Sequence, residues 1–311
     1  MYRLCDVARP GILISNTWPA TRERPGDTVA AIEQVLEDGF FQAIQTVEIP
    51  FAQERRAVAR LLQEVGYPLT YCLTRLLNEN GMNLADLDES NRRRSYEHVI
   101  RWLDDARETG ATNVSMISGP APAEPACRKQ ALQALEDSLI HVCQAASAEP
   151  TLQVIIEPLD IEAHKRCALG LTSEAVDLCE AAKQEGLDLG LCVDTAHAIL
   201  NGEDPVEALA LAEPWLIEYH YCNVVIDKRH PHYGDWHLPF GPPGMVSFDT
   251  IAHIMSCSLE LGFFSPGRRP AIFCEVLSRE EYPPLWVMRH CKEALQQAWA
   301  SLDRRSVGGG R

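Results

Sequence analysis

Eight short apolar runs, each followed by a longer stretch with helical periodicity, constrain what this chain can fold into. The runs are GILISNT (11–17), AIQTVEIP (43–50), LTYCLT (69–74), NVSMISG (113–119), LQVIIEP (152–158), LGLCVDT (189–195), IEYHYCN (217–223) and AIFCEVL (271–277). Side chains alternate along a strand, so Val154 and Ile156 point one way while Ile155 and Glu157 point the other. Both faces are largely apolar and both must be covered, as in a parallel sheet. Between the runs, Val99, Ile100, Leu103 and Ala106 recur at helical spacing, as do Leu132, Leu135, Leu139 and Val142. Strand then helix, eight times over, predicts a single parallel (β/α)8 barrel over residues 1–304, with 305–311 as a disordered tail. The competing arrangement is an open doubly wound sheet. It ordinarily carries a glycine-rich phosphate loop after an early strand, and neither GxGxxG nor GxxxxGK(S/T) occurs.

Charge and cysteine usage narrow the partners. A formal net charge of −16 disfavours nucleic acid and anionic membrane surfaces, both of which need a positive face. No run approaches the ~18 apolar residues of a membrane span, and the N-terminus MYRLCDVARPG lacks the apolar core of a signal peptide. The 11 cysteines are odd in number, form no CxxC pair, and include Cys72, Cys192, Cys222 and Cys274 inside apolar runs. Reduced, buried thiols in a cytoplasmic protein are the expectation.

In a barrel, chemistry sits at the C-terminal ends of the strands. Four runs carry a strong metal ligand there: Glu157, Asp194, His220 and Glu275. An unpaired charge is costly to bury, yet the eight runs contain no Lys or Arg to neutralise these groups. Three carboxylates and one imidazole make a hard, oxygen-rich set. It suits one divalent ion, Mn²⁺ foremost with Mg²⁺, Co²⁺ or Zn²⁺ as alternatives, and leaves room for two substrate oxygens. Cys192 and Cys222 share the inward face and read as fillers rather than thiolate ligands.

The segments IIEPLD, CVDTAHA, HYCN, DWHLPFGPPG and FCEVL, with the stretch from Asn80 to Gly119, resemble the xylose-isomerase-like barrels of AP endonuclease family 2. That group includes ketose 3-epimerases, hydroxypyruvate isomerases and inosose dehydratases. The resemblance runs through nearly the whole chain in element order, with motif matches concentrated between residues 155 and 276. It implies that Glu157, Asp194, His220 and Glu275 are the metal quartet and that Glu157 and Glu275 are also the paired catalytic carboxylates. It further implies substrate-binding positions at Glu48, His197, Asn223, Arg229 and His237. His197 either contacts substrate or orients Asp194. Arg229 or His237 stands nearest the arginine that ketose epimerases carry in this region. The sequence departs from the family loop pattern at Phe240 and Pro243.

A ketose held in such a site would lose its α-proton to one carboxylate and regain one from the other. The outcome is epimerisation, or isomerisation if the proton returns to the neighbouring carbon. A lyase (dehydratase or decarboxylase) shares the first half of that chemistry. A zinc abasic-site endonuclease needs further histidines after strands three and four, where YCLTRL and SMISGPAP supply none. A non-catalytic barrel subunit is the fourth reading. The expected partner is a small sugar or keto-acid, with homo-oligomerisation left open. The stretch 226–244, rich in histidine, reads as a lid in which Trp236 and Phe240 exclude water, or as a solvated loop.

Overall fold

A computed structural model describes residues 2–308. Of the expected tail, residues 309–311 lie outside the described residues. Eight strands form the parallel barrel: β1 (Arg9–Leu13), β2 (Ala43–Thr46), β3 (Leu69–Cys72), β4 (Asn113–Met116), β5 (Gln153–Ile156), β6 (Leu189–Asp194), β7 (Leu216–Val225) and, after an inserted strand β8 (Gly234–Leu238), β9 (Ala271–Glu275). Neighbours pair in the order β6-β5-β4-β3-β2-β1-β9-β7, and a β6–β7 pairing closes the ring. Helices between the strands cover the outside, from Asp27–Asp38 after β1 to Pro284–Gly308 after β9. No helix is long and apolar enough to cross a membrane among the described residues.

Two departures from the sequence reading matter for the site. The first strand ends at Leu13, and Ile14–Thr17 is a helical turn that carries Ser15 and Asn16 over the barrel mouth. The middle of 226–244 is not loop: Gly234–Leu238 pairs antiparallel with β7, with Val224 opposite Asp235 and Asn223 opposite Leu238. A histidine- and proline-rich stretch hides a five-residue strand because β8 has only one partner, so its hydrophobic pattern is weak.

The alternation inferred for LQVIIEP holds. Val154 and Ile156 belong to the core between barrel and helices, together with Ile12, Ile44, Leu69, Val114 and Leu191. Burying each such side chain contributes about 1.5–3 kcal/mol. A second, smaller cluster of Leu13, Ala43, Ala271 and Phe273 fills the inside of the barrel. Gly11 makes this possible, since a Cβ there would lie 2.3 Å from the Phe273 ring. Gly66 ends the helix Ala52–Val65 at φ +68, a conformation open to glycine at no steric cost. The cysteines are all free, as expected.

Candidate metal centre and substrate pocket

Parallel pairing brings the strand ends to one mouth. Glu157 follows β5 directly, Asp194 and Glu275 are the last residues of β6 and β9, and His220 lies on β7 in register with Asp194. Ligating atoms of all four lie within 4.8 Å of one another. All four are buried, with His220 only 1% and Asp194 only 3% exposed. His220 Nδ1 is 2.7 Å from Glu275 Oε1 and 3.9 Å from Glu157 Oε1, yet neither ring nitrogen of His220 makes an aligned hydrogen bond among the described residues.

Asp194 shows how one side chain can serve fold and site together. Its Oδ1 caps the helix Thr195–Leu200 by accepting from the backbone N–H groups of Ala196 (2.8 Å) and His197 (3.1 Å). Its Oδ2 is buried with no hydrogen-bond partner among the described residues. Buried polar atoms are ordinarily satisfied. The unpartnered atoms on Asp194 and His220, beside two glutamates, are ones a divalent ion would satisfy, so the donor set fits such an ion.

Electrostatics separate the carboxylates. Burial pushes Glu157 up, with His220 pulling the other way, and it pushes Asp194 up to about 7 against the pull of His197. Glu275 goes down instead: burial opposes its charge, but His237 and His220 outweigh burial. His220 is held well above the ordinary histidine range, since Cys192, Glu218 and Glu275 together overcome its burial.

A cavity of about 350 Å³ opens beside the quartet, walled by Glu157, Glu275, His197, Asp235, His237 and Lys165. Asn16, Gln45, Thr74 and Arg75 add polar groups, and Leu13, Pro19, Val47, Leu159 and Leu277 supply the apolar part. A basin of about 390 Å³ lies at the opposite end of the barrel among the strand starts, remote from these carboxylates. The mouth is the candidate site because there a cavity coincides with a buried cluster of carboxylates and imidazoles.

The expected substrate positions divide. His197 lines the cavity, with Nδ1 3.5 Å from Asp160 and Nε2 3.7 Å from Asp235. Its proton is held to about 9, because these carboxylates and Asp194 outweigh burial. His237 also lines the cavity, and its Nε2 sits 3.1 Å from Asp235 Oδ2 and 3.0 Å from Glu275 Oε2. Its backbone is left-handed at φ +50, local strain of the kind kept at functional positions.

The structure does not bring the other three into the cavity. Glu48 is buried against Arg22, which also reaches Glu79 at 3.2 Å. The Asn223 amide is consumed by the backbone: it donates to Pro239 O (2.6 Å) and Gly241 O (2.8 Å) and accepts from Val224 N (3.0 Å) and Val246 N (2.9 Å). Arg229 has a side chain 90% exposed and pairs with Asp227. Trp236 and Phe240 do not close over the cavity either. Trp236 stacks on His164 at 4.9 Å, and Phe240 stacks on His290 at 5.7 Å.

Three residues complete the wall or its support without having been given a role from the sequence: Asp160, Lys165 and Asp235. Asp160 Oδ1 accepts the backbone N–H of Lys165 at 3.0 Å and so folds the loop after β5. Lys165 Nζ then reaches Asp235 Oδ2 at 3.1 Å. The D-W-H spacing held a usable signal, because a strand there puts Asp235 and His237 on one face.

The sequence from residue 32 to 265 matches the family model described as xylose isomerase-like TIM barrel. No curated protein sequence matches the chain. Among solved structures, an L-ribulose 3-epimerase aligns over 98% of this chain and 98% of its own, at TM-score 0.73 and 15% identity. A D-psicose 3-epimerase from Clostridium cellulolyticum H10 aligns over 93% of this chain and 98% of its own, at 0.69 and 14%. An AP endonuclease, family 2, from Brucella melitensis aligns over 86% and 93%, at 0.60 and 15%. At these identities the likeness is one of fold.

Proposed function

This chain belongs to the xylose isomerase-like TIM barrel family, and from that premise we propose that it is a divalent-metal-dependent isomerase or epimerase. Its substrate is a ketose or other α-hydroxy ketone, and the reaction is proton transfer through an enediolate. The observation that carries the reading is the convergence of Glu157, Asp194, His220 and Glu275 at the mouth, beside a cavity of about 350 Å³.

The quartet would hold the ion, for which Mn²⁺ matches the oxygen-rich donor set best. A bound divalent ion supplies Lewis acidity that favours negative charge on a neighbouring carbonyl oxygen. Everything else falls to the chain. Glu157 and Glu275 leave β5 and β9 on different sides of the mouth, so one carboxylate can take the α-proton and the other can return one to the opposite face. His237, whose Nε2 stands at ion-pair distance from both Glu275 Oε2 and Asp235 Oδ2, positions the Glu275 oxygen. His197 presents an N–H to the cavity while Asp160 steadies its ring. Leu13, Pro19, Val47, Leu159 and Leu277 limit water around the reacting carbon. The 3-epimerase likenesses support a ketose as the first substrate class to try.

The test is solvent-deuterium wash-in over ketoses, keto-acids and inososes, with and without added Mn²⁺. Metal-dependent deuterium incorporation at the carbon next to a carbonyl, with appearance of an epimer or isomer, is the expected result. Exchange followed by loss of water or carbon dioxide would mean a lyase. No exchange on any member of the panel would overturn the proposal.

A further inference from the structure

A second donor set converges on Asp235, next to the quartet. His237 Nε2 lies 3.1 Å from Asp235 Oδ2, and His197 Nε2 lies 3.7 Å from the same atom. Cys222 Sγ approaches the other oxygen, Oδ1, at 3.2 Å. Ligating atoms of Cys222, Asp235 and His237 lie within 4.8 Å of one another. Asp235 is 1% exposed and Cys222 fully buried. Two imidazoles, a thiol and one carboxylate are softer donors than the quartet, and their chemistry is that of zinc.

A cation already stands at this set, and it is a side chain of the protein itself. Lys165 Nζ is 3.1 Å from Asp235 Oδ2. The ammonium is delivered by a built turn. Asp160 accepts the Lys165 backbone N–H at 3.0 Å, Arg166 adopts φ +54, and Cys167 bridges to Pro120. Asp160 also faces His197 Nδ1 at 3.5 Å, so one carboxylate fixes both the lysine loop and a member of the donor set.

We propose that Lys165 is a built-in cation that closes the Asp235 donor set to metal, so that the mouth of this barrel loads one divalent ion rather than two. The inference rests on the quartet being a metal site, as argued under Proposed function. A dication at Asp235 Oδ2 would meet the Lys165 ammonium at contact distance, and like charges so close repel strongly away from bulk water. The ammonium balances the Asp235 charge from the cavity wall without occupying a metal's place.

The experiment is metal stoichiometry. Chelator-stripped protein is equilibrated with Zn²⁺, and separately with Mn²⁺, and bound ion per chain is counted by elemental analysis and by titration calorimetry. Wild type should take one ion of either kind. Lys165→Met should take two Zn²⁺ but still one Mn²⁺, because the opened set is rich in nitrogen and sulfur. Lys165→Arg, which keeps the charge, should stay at one. Lys165→Met combined with Asp235→Ala should return to one, which separates the Asp235 set from zinc held by surface histidines. A folded Lys165→Met variant that still takes one Zn²⁺, or a wild type that takes two at these groups, overturns the inference. A wild type that takes none overturns the quartet reading itself, and the inference falls with it.

Discussion

Nδ1 of His220 lies 2.7 Å from Oε1 of Glu275, across the seam where β7 and β9 pair in parallel. The imidazole and the carboxylate are thus held at contact distance by backbone register rather than by an aligned hydrogen bond. An ion that draws on both would lock this pair, and its removal would loosen it.

Metal removal is therefore the first prediction. Chelation should lower the thermal midpoint, and re-addition of Mn²⁺ should restore it. An ion at about 100 times its dissociation constant adds about 2.7 kcal/mol. His220→Ala and Asp194→Ala should each weaken binding by more than the roughly 10–100-fold that loss of a supporting partner costs. Calorimetric titration of the two variants checks this, and unchanged affinity in both would remove the quartet as a site.

Glu157→Gln and Glu275→Gln keep an oxygen donor and lose the base. Turnover should fall by about 10²–10⁴-fold in each while ion binding is largely kept. Deuterium wash-in, measured for each variant on each epimer, should show one half-reaction surviving where net conversion is lost.

Asn223 is predicted to matter for stability rather than for substrate contact. Three of its four backbone hydrogen bonds hold residues 239–246 against β7, and the fourth satisfies its neighbour Val224. Asn223→Ala would strand those groups in a buried site, at a cost of about 3 kcal/mol or more. Urea unfolding reads this directly, and a loss below about 0.5 kcal/mol would contradict it.

Gly11→Ala should destabilise by about 1–3 kcal/mol, because the new methyl meets the Phe273 ring inside the barrel. By contrast, Arg229→Ala should leave both turnover and stability within about 0.5 kcal/mol of wild type, since the side chain is solvated and its partner Asp227 is close in the chain. Denaturant midpoints for the two, measured side by side, check the contrast.

The barrel was legible in the sequence because two-sided burial writes itself into runs such as LQVIIEP, and parallel strands place their ends at one mouth without any further signal. Glu157, Asp194, His220 and Glu275 were visible for the same reason: ionisable residues stand out where everything around them is apolar. Lys165 was not visible. The strand runs contain no lysine, and the loop that delivers Lys165 is shaped by the side chain of Asp160, a tertiary event with no periodicity. Asn223 shows the opposite failure. The family resemblance made it a substrate contact, and only the positions of Pro239, Gly241 and Val246 reveal that its amide is used up.

The pairing of β8 with β7 divides the segment 226–244 into parts with different freedom to vary. Asp235 pairs with Val224 of β7 and the His237 carbonyl accepts from Leu277 N at 2.8 Å, whereas the turn between β7 and β8 makes no claim on the cavity. Residues can be inserted or removed at that tip without shifting the register of the wall. Relatives that differ greatly in length here can therefore keep the same constellation of side chains, and an alignment that slides gaps through the segment will misplace Asp235 and His237 unless the strand is anchored first.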